Sequence, residues 1–364
     1  MHGYFKMLSE GYRTRDAHLL EWFSRLLPTS KSIYVVSRPE PFPRVSLRLR
    51  RAHEAGLPRT IDISREVLAV PDLRDPKSWW VDSVRHYRVP DVTGGAVVWN
   101  PIATLSDAVS RRLESLDQVH ADLLDDWSVH GAFSSIHPQV ERAYARLFSL
   151  ARTVTANSEG TLALARRWGR DDAVLVPNGS DPERFQTISR ATGPITVGYI
   201  GKIGSRLDPE LIHRTALELP AVSFVFAGPI LERSYGSLLE SLPNVRALGD
   251  VPYSAIPELL TTFDIGWVPH GVEHGQVGGD AIKIYEYRSA GLPVLTTPII
   301  GTVERPMPEV HVRDAPDHAN VLRTLIAGRD RVPRVLSDID PALTWRSKAA
   351  FILGELGEAP RDQP

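Results

Sequence analysis

Residues Gly278–Pro298, GGDAIKIYEYRSAGLPVLTTP, read as a Gly-Gly loop, a short helix over about Asp280–Ala290, a stop at Gly291 and a buried strand opened by Pro293. Lys283 and Glu286 stand three apart and so share one helix face. That order is locally unfavourable, since a cation near a helix N-terminus opposes the macrodipole and Lys before Glu is the weaker pairing. An anionic ligand reverses the sign, because free backbone N–H groups, the positive dipole end and an ammonium then converge on it. Glu286, one turn deeper, could accept hydrogen bonds from sugar hydroxyls. A solvated ion pair beside a buried Ile282 and Tyr285 is the alternative.

The chain has 364 residues, enough for two domains, and its 42% hydrophobic and 24% charged composition is that of an ordinary globular protein. A formal net charge of −2 gives no sign of nucleic-acid binding. Cysteine is absent, which excludes disulfides, thiolate metal sites and a Cys nucleophile and fits a reducing compartment. No apolar run approaches membrane-spanning length, and MHGYFKMLSEGYR lacks a signal-peptide core. The expected location is cytoplasmic.

In the first half, Tyr4–Leu8 is expected as a strand, followed by a helix over about Asp16–Leu27 with Thr14 as its cap. SIYVVS (32–37) and AVVWN (96–100) read as buried strands, and Ser106 as the cap of a helix to Leu116. Strand and helix alternating at this spacing suggest a parallel sheet. The basic stretch holding Arg44, Arg48, Arg50, Arg51 and Arg59 could touch an anionic acceptor or a membrane surface, or be a solvated strand or edge helix. Trp79 and Trp80 could stack on an acceptor or pack beneath a loop. HADLLDDWSVHGAF places Asp125, Asp126 and His130 after a short apolar stretch, where ligands bind in open α/β sheets. One of them could act as a general base or a sugar ligand; the alternative is a buried Asp capping the next turn, with Trp127 in the core. A helix over Pro138–Ala151, a second helix capped by Ser158 and stopped at Gly169, and the strand of AVLVPNGSD complete this half.

The polar segment from Phe185 to Pro194 reads as an interdomain linker, because strand and helix alternation restarts after it. ITVGYIG, SFVFAGP, NVRALG, FDIGWVP and PVLTT are five short apolar strands, and Asp208-Pro209 opens a helix. They make a second doubly wound sheet, so the fold expected is α/β with two Rossmann-like domains facing a cleft. The C-terminal helix, capped at Asp340 and opened by Pro341, aligns Trp345, Ala349, Ile352 and Leu356.

Six pieces of the second half, taken in register, are similar to the nucleotide-sugar domain of GT-B-fold glycosyltransferases, especially the retaining family-four-like group. They are TANS before a helix, VLVPNGSDPERF, VGYIGKI, FVFAGP, NVRALGDVPYSAIPELLTTFDIGWVP and KIYEYRSAGLPVLTT, with TWRSKAAFIL resembling the terminal helix. The resemblance covers about Thr153–Leu356. It implies an acceptor-side domain over 1–185, a nucleotide-sugar domain over 195–340, and a helix over 341–358 that crosses back to the first. By position, Lys202 and Arg206 resemble the basic residues that bind the donor pyrophosphate, Lys283 the phosphate ligand, and Glu286 the glutamate that holds the ribose hydroxyls. Gly228, Pro229, Leu248 and Val251 resemble the loops bordering the base, and Gly279 and Asp280 the donor loop and helix start. Many relatives carry a Glu eight residues before the ribose Glu, touching the transferred sugar. Here that position is Gly278, and His270, Glu273 or Asp280 could substitute.

The implied activity is a hexosyltransferase that uses a nucleoside-diphosphate-sugar donor and a saccharide or small-molecule acceptor, in polysaccharide or natural-product synthesis. A departing diphosphate needs fixed positive potential, which Lys202, Arg206, Lys283 and a helix N-terminus supply without a cofactor or metal ion. An inverting enzyme needs a base, for which Asp126 is the candidate. A retaining one lets the leaving phosphate take that role. An epimerase or hydrolase of the same fold, or a non-catalytic partner of an active transferase, is the alternative. HGVEH (270–274) lies in a Gly-rich loop and lacks the helical spacing of zinc proteases. The glycines of VGYIGKIG do not match the dinucleotide fingerprint.

Overall fold

The computed structural model of the chain describes residues 3–41, 56–63, 66–72, 74–272, 279–336 and 338–359. Two compact units emerge, one of Met1–Asn178, Val277–Asp280 and Trp345–Pro364, the other of Gly179–Gln276 and Ala281–Thr344. The division thus falls in the Pro-Asn-Gly turn, seven residues ahead of the polar segment read as a linker, and Phe185 is buried in the core of the second unit.

The first unit is built on a parallel sheet of four strands in chain order: β1 (Gly95–Val98), β2 (Gln118–Leu123), β3 (Thr153–Ala156) and β4 (Val174–Leu175). Helices Asp107–Glu114, His137–Leu150 and Glu159–Arg167 make the crossovers. Ile102, Val119, Ala121, Val140, Tyr144 and Leu147 form its core. Ser158 caps as its sequence predicts, accepting from Thr161 N while Thr161 Oγ1 accepts from Ser158 N. Thr14 and Ser106 stand at N-cap positions but make no capping bond.

The expected strand at Tyr4–Leu8 is instead a helix, Tyr4–Glu10. The apolar run was too short to fix its period. Tyr4 and Met7, one helical turn apart, are the residues buried, and Gly11 with φ 69° stops the helix. SIYVVS contributes only Ile33–Val35, paired in parallel with Thr60–Asp62 in a separate two-stranded piece. Glu40–Pro41 and Glu66–Val67 form another. The terminal helix, Trp345–Glu355, packs along Arg15–Leu26, with the His18 ring stacked on Trp345 at 4.7 Å. Of the basic stretch, Arg44, Arg48, Arg50 and Arg51 lie outside the described residues. Arg59 donates to the carbonyls of Leu27 and Pro28 at the end of that helix.

The second unit contains a six-stranded parallel sheet. Its strands are β5 (Thr196–Ile200), β6 (Ser223–Ala227), β7 (Val245–Gly249), β8 (Ile265–Val268), β9 (Val294–Thr296) and β10 (Val310–Val312), in the order β7-β6-β5-β8-β9-β10. All five strands read from sequence are present. β10 was not read, because VHV is too short and too exposed to carry a pattern. The order reverses between β5 and β8, which defines a topological switch point, and ligands of such sheets bind outside the carboxyl ends of the strands there. Asp208 caps Pro209–Glu218 by accepting from Leu211 N at 2.9 Å.

Candidate functional site

At the switch point the chain leaves β5 through Gly201, and next to it β6 leaves through Gly228. Gly201 N donates to Ala227 O at 2.8 Å and Gly228 N to Gly249 O at 2.7 Å, so the hydrogen-bond ladder continues past the strand ends. A Cβ on Gly228 would come 1.9 Å from Gly201 O, and its φ of +149° lies in the region only glycine adopts freely. A Cβ on Gly201 would meet Lys283 Cε at 3.0 Å. Gly201 therefore clears the space that Lys283 enters, and Gly228 lets the two loops approach.

Lys283 stands in the first turn of helix Ile282–Ser289, which crosses from β8 to β9 and starts at the carboxyl end of the sheet. The side chain is half-buried, and its Nζ lies 5.1 Å from the centre of the Tyr199 ring. Burial, then the charge of Arg206, pushes its pKa down to about 8, with Glu286 opposing. Lys283 does not pair with Glu286, so the solvated ion pair left open by the sequence is not what forms.

Glu286, 4% exposed, accepts instead from Tyr253 Oη at 2.8 Å. Burial lifts its pKa to about 7, while the Tyr253 hydrogen bond and Lys283 pull it down; Asp181 adds to the rise and Arg184 opposes it. Asp181 and Arg184 are themselves ion-paired at 2.9 Å. Leu248 and Val251 pack against the same apolar cluster as Tyr253, Ile284 and Tyr287, beside this carboxylate. A half-buried cation and a buried carboxylate one turn apart, held by different partners, can take an anion and a diol respectively.

The remaining residues singled out in the sequence fall less uniformly. Arg206 is exposed, yet its charge acts on Lys283, Tyr199 and His270. Lys202 is exposed, and it is its backbone carbonyl that accepts from Tyr199 Oη at 2.9 Å. Pro229 accepts from Ile203 N at 3.0 Å, tying the β5 and β6 loops together. The helix begins at Ile282, with Ala281 as N-cap, so Asp280 is not its first residue. Asp280 accepts from Asn178 N through Oδ2 at 2.8 Å and from Asn178 Nδ2 through its carbonyl at 2.9 Å. Gly279 lies so close to Asp125 that a Cβ would come 2.2 Å from Oδ1. Gly278, Glu273 and His274 lie outside the described residues.

In the first unit, Asp126 is the buried Asp that caps the next turn. It accepts from Ser128 N at 2.9 Å and pairs with Arg167 at 2.7 Å, so taking a proton would break an ion pair. Trp127 is in the core. His130 caps the turn Gly131–Ile136, its Nδ1 accepting from Ala132 N at 3.1 Å. Trp79 is buried and donates to Pro39 O, whereas half-buried Trp80 has the Arg38 guanidinium 4.2 Å from its ring centre.

Several organising residues were not identified from sequence. Tyr253 and the Asp181–Arg184 pair are among them, although DPER carried an i, i+3 signal. Another is Asp122 on β2, which binds Arg15 at 2.8 Å and accepts from Trp99 Nε1 and Thr155 Oγ1, both at 2.7 Å. Arg15 also donates to Asn178 Oδ1 at 3.2 Å, so the turn that holds Asp280 is held in its own right.

No protein-family model matches the chain. It is 27% identical over 226 residues to TuaH of Bacillus subtilis (strain 168), which is named as a teichuronic acid biosynthesis glycosyltransferase. That match covers 57% of this chain and 57% of TuaH, so the chain spans little more than half the length of its curated relative. Among solved structures, HepE of Anabaena, in complex with UDP and glucose, matches with a TM-score of 0.62 and 14% identity over 94% of this chain and 93% of its own. The UDP-forming α,α-trehalose-phosphate synthase of Burkholderia vietnamiensis matches with a TM-score of 0.52 and 12% identity, over 80% and 74%. At these identities the structural likeness is one of fold. In its sequence pattern the chain resembles the GT-B glycosyltransferases, and its two α/β units have their fold.

Proposed function

We propose that the protein is a glycosyltransferase that moves a hexosyl group from a nucleoside-diphosphate-sugar to a saccharide, lipid-linked saccharide or small-molecule acceptor. One observation carries this reading: Lys283 and Glu286 occupy consecutive turns of one helix at the switch point of the second sheet, the first under the charge of Arg206 and the second bonded to a tyrosine hydroxyl. A half-buried ammonium that does not pair with Glu286 suits a diphosphate, and a buried carboxylate suits the vicinal hydroxyls of ribose. Departure of the diphosphate gathers negative charge on its oxygens, where Lys283, Arg206 and the N-terminus of Ile282–Ser289 supply fixed positive potential with no metal ion needed. Lys202, exposed beside them, can swing onto the same anion.

UDP is the first nucleotide to try, since HepE binds it and the Burkholderia synthase forms it. TuaH is named for teichuronic acid biosynthesis, so an acidic saccharide is the first acceptor class to try, with contact at the cytoplasmic membrane face. No helix among the described residues is long and apolar enough to cross a membrane. Titration calorimetry of the intact protein with UDP, GDP, TDP and ADP, followed by release of UDP from UDP-hexoses, tests the reading. Binding of one nucleoside diphosphate and its loss in Glu286→Ala are expected, and failure of all four to bind would overturn it.

A further inference from the structure

His270 follows Pro269 at the carboxyl end of β8, on one side of the switch point. Its backbone is fixed: its N–H donates to Val268 O at 3.0 Å, and Thr297 Oγ1 donates to its carbonyl at 2.8 Å. The ring is half-buried, and its Nε2 is shut off from water with no hydrogen-bond partner among the described residues. A buried polar atom so placed, on a residue whose backbone is fixed, points to a missing ligand.

The groups around the ring say what that ligand carries. The Tyr199 ring lies 6.3 Å away, and Lys283 Nζ stands 5.1 Å from the centre of that same ring. Lys283, on the crossover helix, and Arg206, on the β5 loop, are the charges that act on the imidazole. Glu286 sits one turn beyond Lys283 and is bonded to Tyr253. Burial first, and then these two cations, push the imidazole pKa well below its ordinary value, so the ring is neutral at pH 7. A nitrogen in the field of these two cations suits an anionic oxygen and repels a metal ion.

Resting on the nucleotide-sugar reading above, we propose that His270 is a further ligand of the donor's diphosphate, turning Nε2 to a phosphate oxygen and taking a proton from solvent as that charge arrives. The proton comes from bulk water or buffer, settles on Nε2 and is shared in an Nε2–H···O hydrogen bond; no covalent bond to the substrate forms or breaks at the ring. The bond so formed is charge-assisted, and it strengthens as the sugar departs and charge builds on the diphosphate. His270 thereby stabilises the leaving group and does not replace the Glu that relatives place against the transferred sugar.

Calorimetry with UDP at pH 6.5, repeated in buffers of differing ionisation enthalpy, counts the protons taken up per UDP bound. The intact protein is compared with His270→Gln, whose amide keeps a hydrogen-bonding group but takes no proton. Lys283 and Glu286 titrate in both proteins, so their contributions cancel in the difference. The intact protein should take up roughly one half to one more proton than the variant, as expected for a group moved across the working pH. It should bind UDP about tenfold more tightly at pH 6.5, the scale of one charge-assisted hydrogen bond, with the gap closing toward alkaline pH. A second measurement needs no variant: in intact protein labelled with nitrogen-15 at histidine, UDP should convert one neutral imidazole to imidazolium. Equal proton counts and affinities, or histidine spectra unchanged by bound UDP, would overturn the assignment to His270 while leaving the nucleotide reading standing. Failure of every nucleoside diphosphate to bind the intact protein would remove both.

Discussion

Tyr253 donates its hydroxyl to Glu286 Oε1 at 2.8 Å, joining a residue just past β7 to the helix that follows β8. This bond holds the carboxyl pKa down against the burial that lifts it to about 7. Tyr253→Phe leaves the buried oxygen without that donor and is expected to cost about 1–3 kcal/mol of stability. It also raises the Glu286 pKa, so the rise in UDP affinity with pH, as the carboxylate ionises, moves to higher pH. Calorimetric titration between pH 5.5 and 8.5 reads the midpoint, and an unmoved midpoint would refute the link.

Glu286 also sets a pH dependence of folding. Its folded pKa lies above the ordinary carboxyl value, so its contribution to stability is complete below that value and is lost as pH rises through about 7. Glu286→Gln should therefore gain in melting temperature relative to the intact protein between pH 5 and pH 8. Paired thermal melts at the two pH values show whether the difference grows with that sign.

Lys283→Ala is expected to weaken UDP binding by about 1.5–3 kcal/mol, the range for a hydrogen bond to a charged group. Because the Lys283 pKa is pushed down to about 8, affinity of the intact protein should fall as pH rises through that value. The variant should lack this step, which separates loss of the ammonium from a general loosening of the site.

Gly228→Ala places a methyl 1.9 Å from Gly201 O at a φ that strains any L side chain, and is expected to destabilise the protein by about 3 kcal/mol or more. Gly236→Ala is the control. It lies in helix Arg233–Glu240 with nothing closer than 3.7 Å to the new Cβ, and should stabilise by about 0.5–1 kcal/mol. Urea unfolding of the two variants gives opposite signs if the close approach of the β5 and β6 loops is real.

Asp122→Ala strands the buried Arg15 guanidinium and is expected to cost about 3–5 kcal/mol. Burial alone would raise the Asp122 pKa, but the charge and hydrogen bonds of Arg15, with His120 and Thr155, more than reverse it, and the carboxyl stays below its ordinary range. The contribution is present above that range and is lost as pH falls through the depressed folded value. The intact protein should therefore show an acid-unfolding limb, followed by circular dichroism below pH 4, that Asp122→Asn blunts.

The sequence by itself determined the elements of the second unit and the candidate residues on its crossover helix. ITVGYIG, SFVFAGP and FDIGWVP are apolar runs of strand length between turn signals, and Lys283 three before Glu286 is a spacing whose local energetics call for a ligand. Those signals are local, so they survive without coordinates. Only the tertiary structure decided what each charge does. It turned Glu286 away from Lys283 to a tyrosine 33 residues earlier, gave Asp126 to Arg167, and drew Asp280 to Asn178 from 102 residues away. It also turned Tyr4–Glu10 into a helix, because a short apolar run takes whichever period lets it bury its side chains. Partners distant in the chain leave no periodic trace in it, and they, more than residue type, set burial, hydrogen bonding and pKa.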